Sequence, residues 1–203
     1  RLGAVRPSPA VIGAGATVVA VGVLVALGSP SSADPPQRCN GHAELCDRPY
    51  DEVVQAATHN SMSSPEVVRV WPEHDGDLRD QLDAGIRALL IDTHYWEARV
   101  SPQQLQEADP DLPDGLAGVL FRAAEPFAEE RDGTWMCHNH CAFGGMPFLD
   151  GLVQVREFLE DNPDEVVTLV IQDAITVDDT VAAVADAGLE PYLHVHDPDG
   201  AWA

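Results

Sequence analysis

The chain has 203 residues, 45% hydrophobic and 22% charged, a globular composition with enough apolar mass for one domain and its core. Its 34 acidic and 11 basic residues leave a formal charge of -23, and every basic residue is Arg. This balance excludes a sequence-independent nucleic-acid binder and a polybasic membrane-surface protein; without Lys, it also excludes a Walker-type nucleotide site.

Residues 1–33 contain no acidic residue. Arg1 and Arg6 precede an apolar run over about 10–27, and Ser29, Pro30, Ser31, Ser32 and Ala33 follow it. This order predicts a secretory signal peptide, with an uncleaved membrane anchor as the alternative. The folded domain is then expected over 34–203. All four cysteines follow the leader: Cys39, Cys46, Cys137 and Cys141. An even count in a secreted chain predicts two disulfides, with the local pairings Cys39–Cys46 and Cys137–Cys141 favoured. Cys-His-Asn-His-Cys over 137–141 leaves a zinc site as the rival.

Beyond the leader, a short apolar stretch over 53–57 ends at Thr58 and His59. Leu78 and Leu82 lie four apart in a predicted helix over 77–84, which Gly85 stops. Residues 86–92 form an apolar run of strand length. The stretch 99–115, with Glu107, Asp109, Asp111, Asp114 and three prolines, reads as an acidic surface insertion. A helix is predicted over 116–127, limited by Pro126, then a short strand over 135–137 and a helix over 149–159 ended by Asn162-Pro163. The β-branched run over 166–171 suits a strand buried on both faces. Thr176 and Asp179 form a capping signal for an Ala-rich helix that Gly188 stops, and 192–195 would begin another strand.

Alternating strands and helices predict an α/β fold. Polar and ionisable residues stand at the C-terminal ends of four predicted strands: His59 and Asn60, Asp92, His138, then Gln172 and Asp173. That layout predicts a (β/α) barrel, whose chemistry gathers on the strands' C-terminal face. An open doubly wound sheet is the alternative, though the turn Ala57-Thr58-His59-Asn60-Ser61-Met62 lacks phosphate-binding glycines. An eight-unit barrel takes about 250 residues. The chain therefore reads as the N-terminal half to five-eighths of one.

Two histidines that follow short strands, His59 and His138, offer a base and an acid for cleaving a phosphodiester. One imidazole removes the proton of an attacking hydroxyl and the other protonates the leaving alkoxide; near-neutral imidazoles suit both tasks. Asn60 and Asp92 offer oxygen ligands for a hard cation such as calcium. His94, His140, His194 and His196 are weaker candidates.

Three blocks carry a resemblance: 39–62, opening at Cys39 and ending in the His59-Asn60-Ser61-Met62 turn, 85–96 around Asp92, and 137–173 from Cys137 to Asp173. In this order they resemble secreted members of the phosphatidylinositol-specific phospholipase C X-domain family, of the PLC-like phosphodiesterase superfamily of TIM barrels. The resemblance implies that His59 is the general base for the inositol 2-hydroxyl. It implies that His138 is the general acid for the diacylglycerol leaving group, with a cyclic inositol phosphate as product. It also implies Asn60 and Asp92 as calcium ligands in metal-dependent members. Two departures stand out: Leu90 and Gln172 occupy positions where those members carry acidic ligands, and the Arg that replaces Asp92 in metal-independent members is missing. The function expected is thus a secreted phosphoric diester hydrolase acting on a phospholipid or a soluble phosphodiester, with transient membrane-surface contact. The alternatives are a PLC-like binding protein that is truncated or has lost catalysis, and a glycerophosphodiester phosphodiesterase.

Overall fold

The computed structural model describes residues 37–68, 72–97, 99–113, 115–125 and 128–200, all within the unit Pro36–Ala203. The expected leader over 1–33, Asp114, Pro126 and Phe127 lie outside the described residues. No described helix is long and apolar enough to cross a membrane.

The architecture is mixed α/β. Strand β1 (Ala57–Thr58) is followed by α1 (Leu78–Asp83), β2 (Ala88–Tyr95), α2 (Pro102–Ala108) and α3 (Leu116–Ala124). Then come β3 (Thr134–Met136), β4 (Met146–Pro147), α4 (Phe148–Asp161), β5 (Thr168–Asp173) and α5 (Val177–Asp186). β2 is the hub. It pairs in parallel with β1 at Ala57↔Ala88 and along its length with β5, from Ala88↔Thr168 to Thr93↔Asp173. Its C-terminal end also pairs with β3, but antiparallel, at Thr93↔Met136 and Tyr95↔Thr134. β3 and β4 form an antiparallel ribbon.

Several expectations change here. The strand around Trp135 is not a parallel barrel strand, because β3 runs against β2. The sheet is open among the described residues, with three parallel strands and a ribbon rather than four or five barrel units. Val170 on β5 is half exposed, so the β-branched run is covered on one face only. No described strand follows α5; Glu190–Tyr192 is a single 3-10 turn. The acidic stretch 99–115 contains a helix, α2, nucleated by Pro102 and a reciprocal cap between Ser101 and Gln104.

Local chemistry explains the elements that match. Asp77 caps α1 reciprocally with Asp80, and Thr176 accepts the Asp179 N–H at the start of α5. On α4, Phe148, Gly151, Leu152, Val155 and Phe158 form one buried stripe. That stripe covers Leu78, Leu82, Leu89, Ile91 and Met136 in the main core. Gly151 is needed for contact distance, since a Cβ there would stand 1.8 Å from the Met136 methyl. A smaller core joins α2 and α3 through Val100, Leu105, Ala117, Leu120 and Ala124.

Candidate active site

Three chain segments meet at the C-terminal end of β2. The first is the turn after β1. Ser61 N–H donates to Leu90 O at 2.8 Å and Ser63 N–H to Asn60 O at 2.8 Å, folding the turn back onto β2. Asn60 adopts φ +52°, a left-handed conformation that Asn tolerates better than most side chains. The turn leaves His59 largely exposed, with 76% of its side chain accessible, while Asn60 is buried.

The second segment is the loop after β3. Cys137 N–H donates to Asp92 O at 3.2 Å, so the antiparallel pairing sets His138 beside Asp92. Asn139 repeats the left-handed turn, at φ +58°. Each candidate histidine is thus followed by an Asn that reverses the chain. The Cys137–Cys141 disulfide closes this loop, and Trp96 and Trp135 pack around it edge to face at 4.7 Å. Both cysteine pairs are disulfides, Cys39–Cys46 and Cys137–Cys141, so no thiolate remains for the zinc alternative.

The third segment was not legible as part of the site. Glu73 lies in the connection between β1 and α1. Its N–H and that of His74 both donate to Ser63 O, at 2.9 and 3.0 Å, and His74 Nε2 donates to His59 O at 2.7 Å. The Glu73 carboxylate faces both histidines. Oε1 accepts the Asn60 amide at 2.9 Å and lies 3.3 Å from His138 Nδ1, while Oε2 lies 4.0 Å from His59 Nδ1. An isolated bridge between Val68 and Gly144 ties this connection to the loop after His138. Gly144 is required there, with φ +127° and a hypothetical Cβ 2.1 Å from Val67 O.

Asp92 is buried beneath the histidines. Burial pushes its carboxyl above the usual carboxylate range, against the opposing pull of His94, His138 and His59. His94, two residues on, is held below the ordinary imidazole range by burial, with Asp92 acting in the opposite sense. His140 Nδ1 contacts Glu97 Oε2 at 3.4 Å. Of the other rim candidates, Asp173 serves the turn after β5, accepting from Thr93 Oγ1 and Ile175 N–H, and Gln172 is exposed. His194 and His196 lie beyond α5, with ring centroids 6.0 Å apart.

Calcium takes about six to eight oxygens. Asn60 and Asp92 are the two expected ligands and Leu90 supplies none; the Asn60 amide nitrogen donates to Glu73, so its oxygen is the atom that would meet a cation. Among the described residues no group of three or more His, Cys, Asp or Glu side chains is placed to hold a metal. The ion-paired arginines serve elsewhere: Arg79 with Asp83 and Asp161, Arg87 with Glu165, Arg131 with Glu129, Arg156 with Glu157 and Glu160.

A family model described as PI-PLC X matches residues 98–201. The matched stretch includes His138 and leaves His59, Asn60 and Asp92 outside it. A protein of Arthroderma benhamiae named PI-PLC X domain-containing protein 1 is 30% identical over 137 residues, covering 66% of this chain and 32% of that protein. An uncharacterized secreted protein of the same fungus is 28% identical over 162 residues, covering 77% of this chain and 28% of that protein. The chain thus spans less than a third of the length of either relative. No solved structure matches it.

Proposed function

The chain belongs to the PI-PLC X domain family, and on that premise we propose that it is a secreted phosphoric diester hydrolase working by paired histidines. His59 is the general base and His138 the general acid. One observation carries this reading: two imidazoles from separate loops gather at one carboxylate, His59 Nδ1 4.0 Å and His138 Nδ1 3.3 Å from Glu73.

The chemistry follows. His59 takes the proton of a hydroxyl neighbouring the phosphodiester. The freed oxygen forms a bond to phosphorus, and the bond from phosphorus to the leaving oxygen breaks. His138 gives its proton to that oxygen. The products are a cyclic phosphodiester and an alcohol, and water entering by the reverse proton path opens the ring. Imidazolium supplies the positive charge that a phosphate needs beside Asp92 and Glu73. Transfer by two placed groups is worth about 10²–10⁴-fold each. Asn60 and Asp92 would be the residues to meet a calcium ion, which would add charge at the phosphate. Chelation of divalent ions tests this: activity kept within about twofold assigns the rate to the histidines, and a larger loss assigns part of it to a cation.

Secretion is supported by the signal-like sequence over 1–33, two disulfides and the secreted relative. The fold proposed for the whole domain is a PLC-like barrel, to which β1, β2 and β5 contribute neighbouring parallel strands. A formal charge of -23 opposes approach to an anionic lipid surface, so a soluble phosphodiester is a substrate on equal terms with an inositol phospholipid. Leu90 and Gln172 favour a second reading, a binding protein on the same scaffold. His59→Ala separates the two: the enzyme loses about a thousandfold in turnover while still binding substrate, whereas a binder shows no wild-type turnover and unchanged affinity.

A further inference from the structure

Gln81 is a polar side chain on an apolar helix face. It stands on α1 three residues after Leu78 and one before Leu82, and like both it is buried. A buried amide stays in place through hydrogen bonds. Gln81 Nε2 makes two: it donates to Ser61 O at 2.7 Å and to Gly76 O at 3.1 Å. The amide turned end for end would set its oxygen against two carbonyl oxygens, so these partners fix which end is the nitrogen.

The two carbonyls belong to the two ends of the connection between β1 and α1. Ser61 lies two residues after His59, in the turn that carries it. Gly76 directly precedes the α1 cap Asp77 and closes the stretch that carries Glu73 and His74. Gly76 comes this close to α1 because it has no side chain; a Cβ there would stand 2.6 Å from Asp80 Cβ. The two ends also meet directly, through Ser63 O and through His74 Nε2 on His59 O, but the His74 bond is exposed to solvent. The Gln81–Ser61 bond is buried, where a hydrogen bond is electrostatically stronger. His59 itself is largely exposed, so the backbone of its turn sets where the ring stands. We propose that Gln81 is the positioning residue of this turn, one amide that fixes the backbone beside His59 to the core helix through Ser61 and braces the Glu73 stretch through Gly76. This role rests on the paired-histidine reading. A base works only where it is placed, and a shift of about 1 Å can cost about 10²-fold.

The test compares wild type with Gln81→Met, which keeps the side chain's length and loses both donors. The first readout is backbone ¹⁵N relaxation of the folded chain without substrate. Order parameters at Asn60, Ser61 and His74 are expected to fall from about 0.85 to below about 0.6, while those at Val155 and Phe158 on α4 stay rigid. Loss of stability alone would leave the folded turn as ordered as in wild type. In turnover the variant is expected to lose about 10²-fold in kcat with KM within about threefold. In a His59→Ala background the same substitution should change the residual kcat by less than about threefold, because the base that it places is gone. A turn that stays rigid in Gln81→Met would overturn the proposal, as would an equal loss of kcat in both backgrounds. If wild type cleaves no phosphodiester, the order parameters still decide the role of Gln81, and the hydrolase reading alone fails. If Gln81→Met does not fold, Gln81→Asn gives the same decision. It retracts the amide by one methylene, and a turn of wild-type order would again refute the role.

Discussion

The two disulfide-closed loops lie at opposite ends of the parallel strands, and they are built for different ends. At the strand starts, the Cys39–Cys46 loop docks on the turn before β5: Asn40 Oδ1 accepts Val166 N–H and Glu165 Oε1 accepts Gly41 N–H. Glu165 also pairs with Arg87 at 2.5 Å, and Arg87 stacks 4.8 Å from the Phe158 ring centroid while donating to Leu82 O and Ile86 O. The two largely covered charges there, Arg87 and Glu165, are matched to each other, as stability requires of groups taken out of water. At the strand finishes, the Cys137–Cys141 loop presents His138 to a carboxylate, beside a buried Asp92 whose ionisation the site disfavours. Charges close in on one another at one end and are left available at the other. Same covalent device, opposite electrostatics: the first end holds the fold, the second holds chemistry.

Substitutions should separate the ends. The largest effect expected is on turnover: His138→Ala should lower kcat about a thousandfold with the melting temperature nearly unchanged, as steady-state kinetics and calorimetry would show. Next is Arg87→Ala, which strands Glu165 and removes the stack on Phe158. It should cost about 3 kcal/mol in urea unfolding and leave the activity of the folded fraction intact. Opening either disulfide as a double Ser variant should cost about 2 kcal/mol by loop entropy. Loss of Cys39–Cys46 should touch stability alone, whereas loss of Cys137–Cys141 should also lower kcat.

The smallest effect concerns acid. Burial holds His94 below the ordinary imidazole range, so the fold favours its neutral form. Its contribution is full above that range and is lost as pH falls through the lowered value. His94→Gln should therefore flatten the fall of melting temperature below neutral pH, measured by thermal scans across pH.

The sequence was most legible where signals are local. The Asp77/Asp80 and Thr176/Asp179 caps and the stripe from Phe148 to Phe158 announce their helices, and both disulfides join near neighbours. The Ser101-Pro102-Gln104 start of α2 was equally local, but the surrounding acids and prolines masked it. Strand direction was not legible. A three-residue strand such as Trp135's reads alike in either sense, and only its pairing with β2 decides. His59, Asn60 and His138 lie around Glu73 with Asp92 nearby, but His138 arrives on an antiparallel strand, not at the end of a parallel one as the strand order implied. Glu73 stayed hidden because it has no periodicity or motif of its own. The hydrogen bonds to Ser63 and His59 that carry it back to the histidines arise only once the chain is folded.

The most direct test of the paired-histidine account is ³¹P NMR of phosphatidylinositol and of a soluble glycerophosphoinositol incubated with wild type, His59→Ala and His138→Ala. The account predicts a transient five-membered cyclic phosphate from at least one substrate with wild type and none with either variant. Cleavage by wild type straight to an acyclic phosphate, or a cyclic product that persists in His59→Ala, would contradict it.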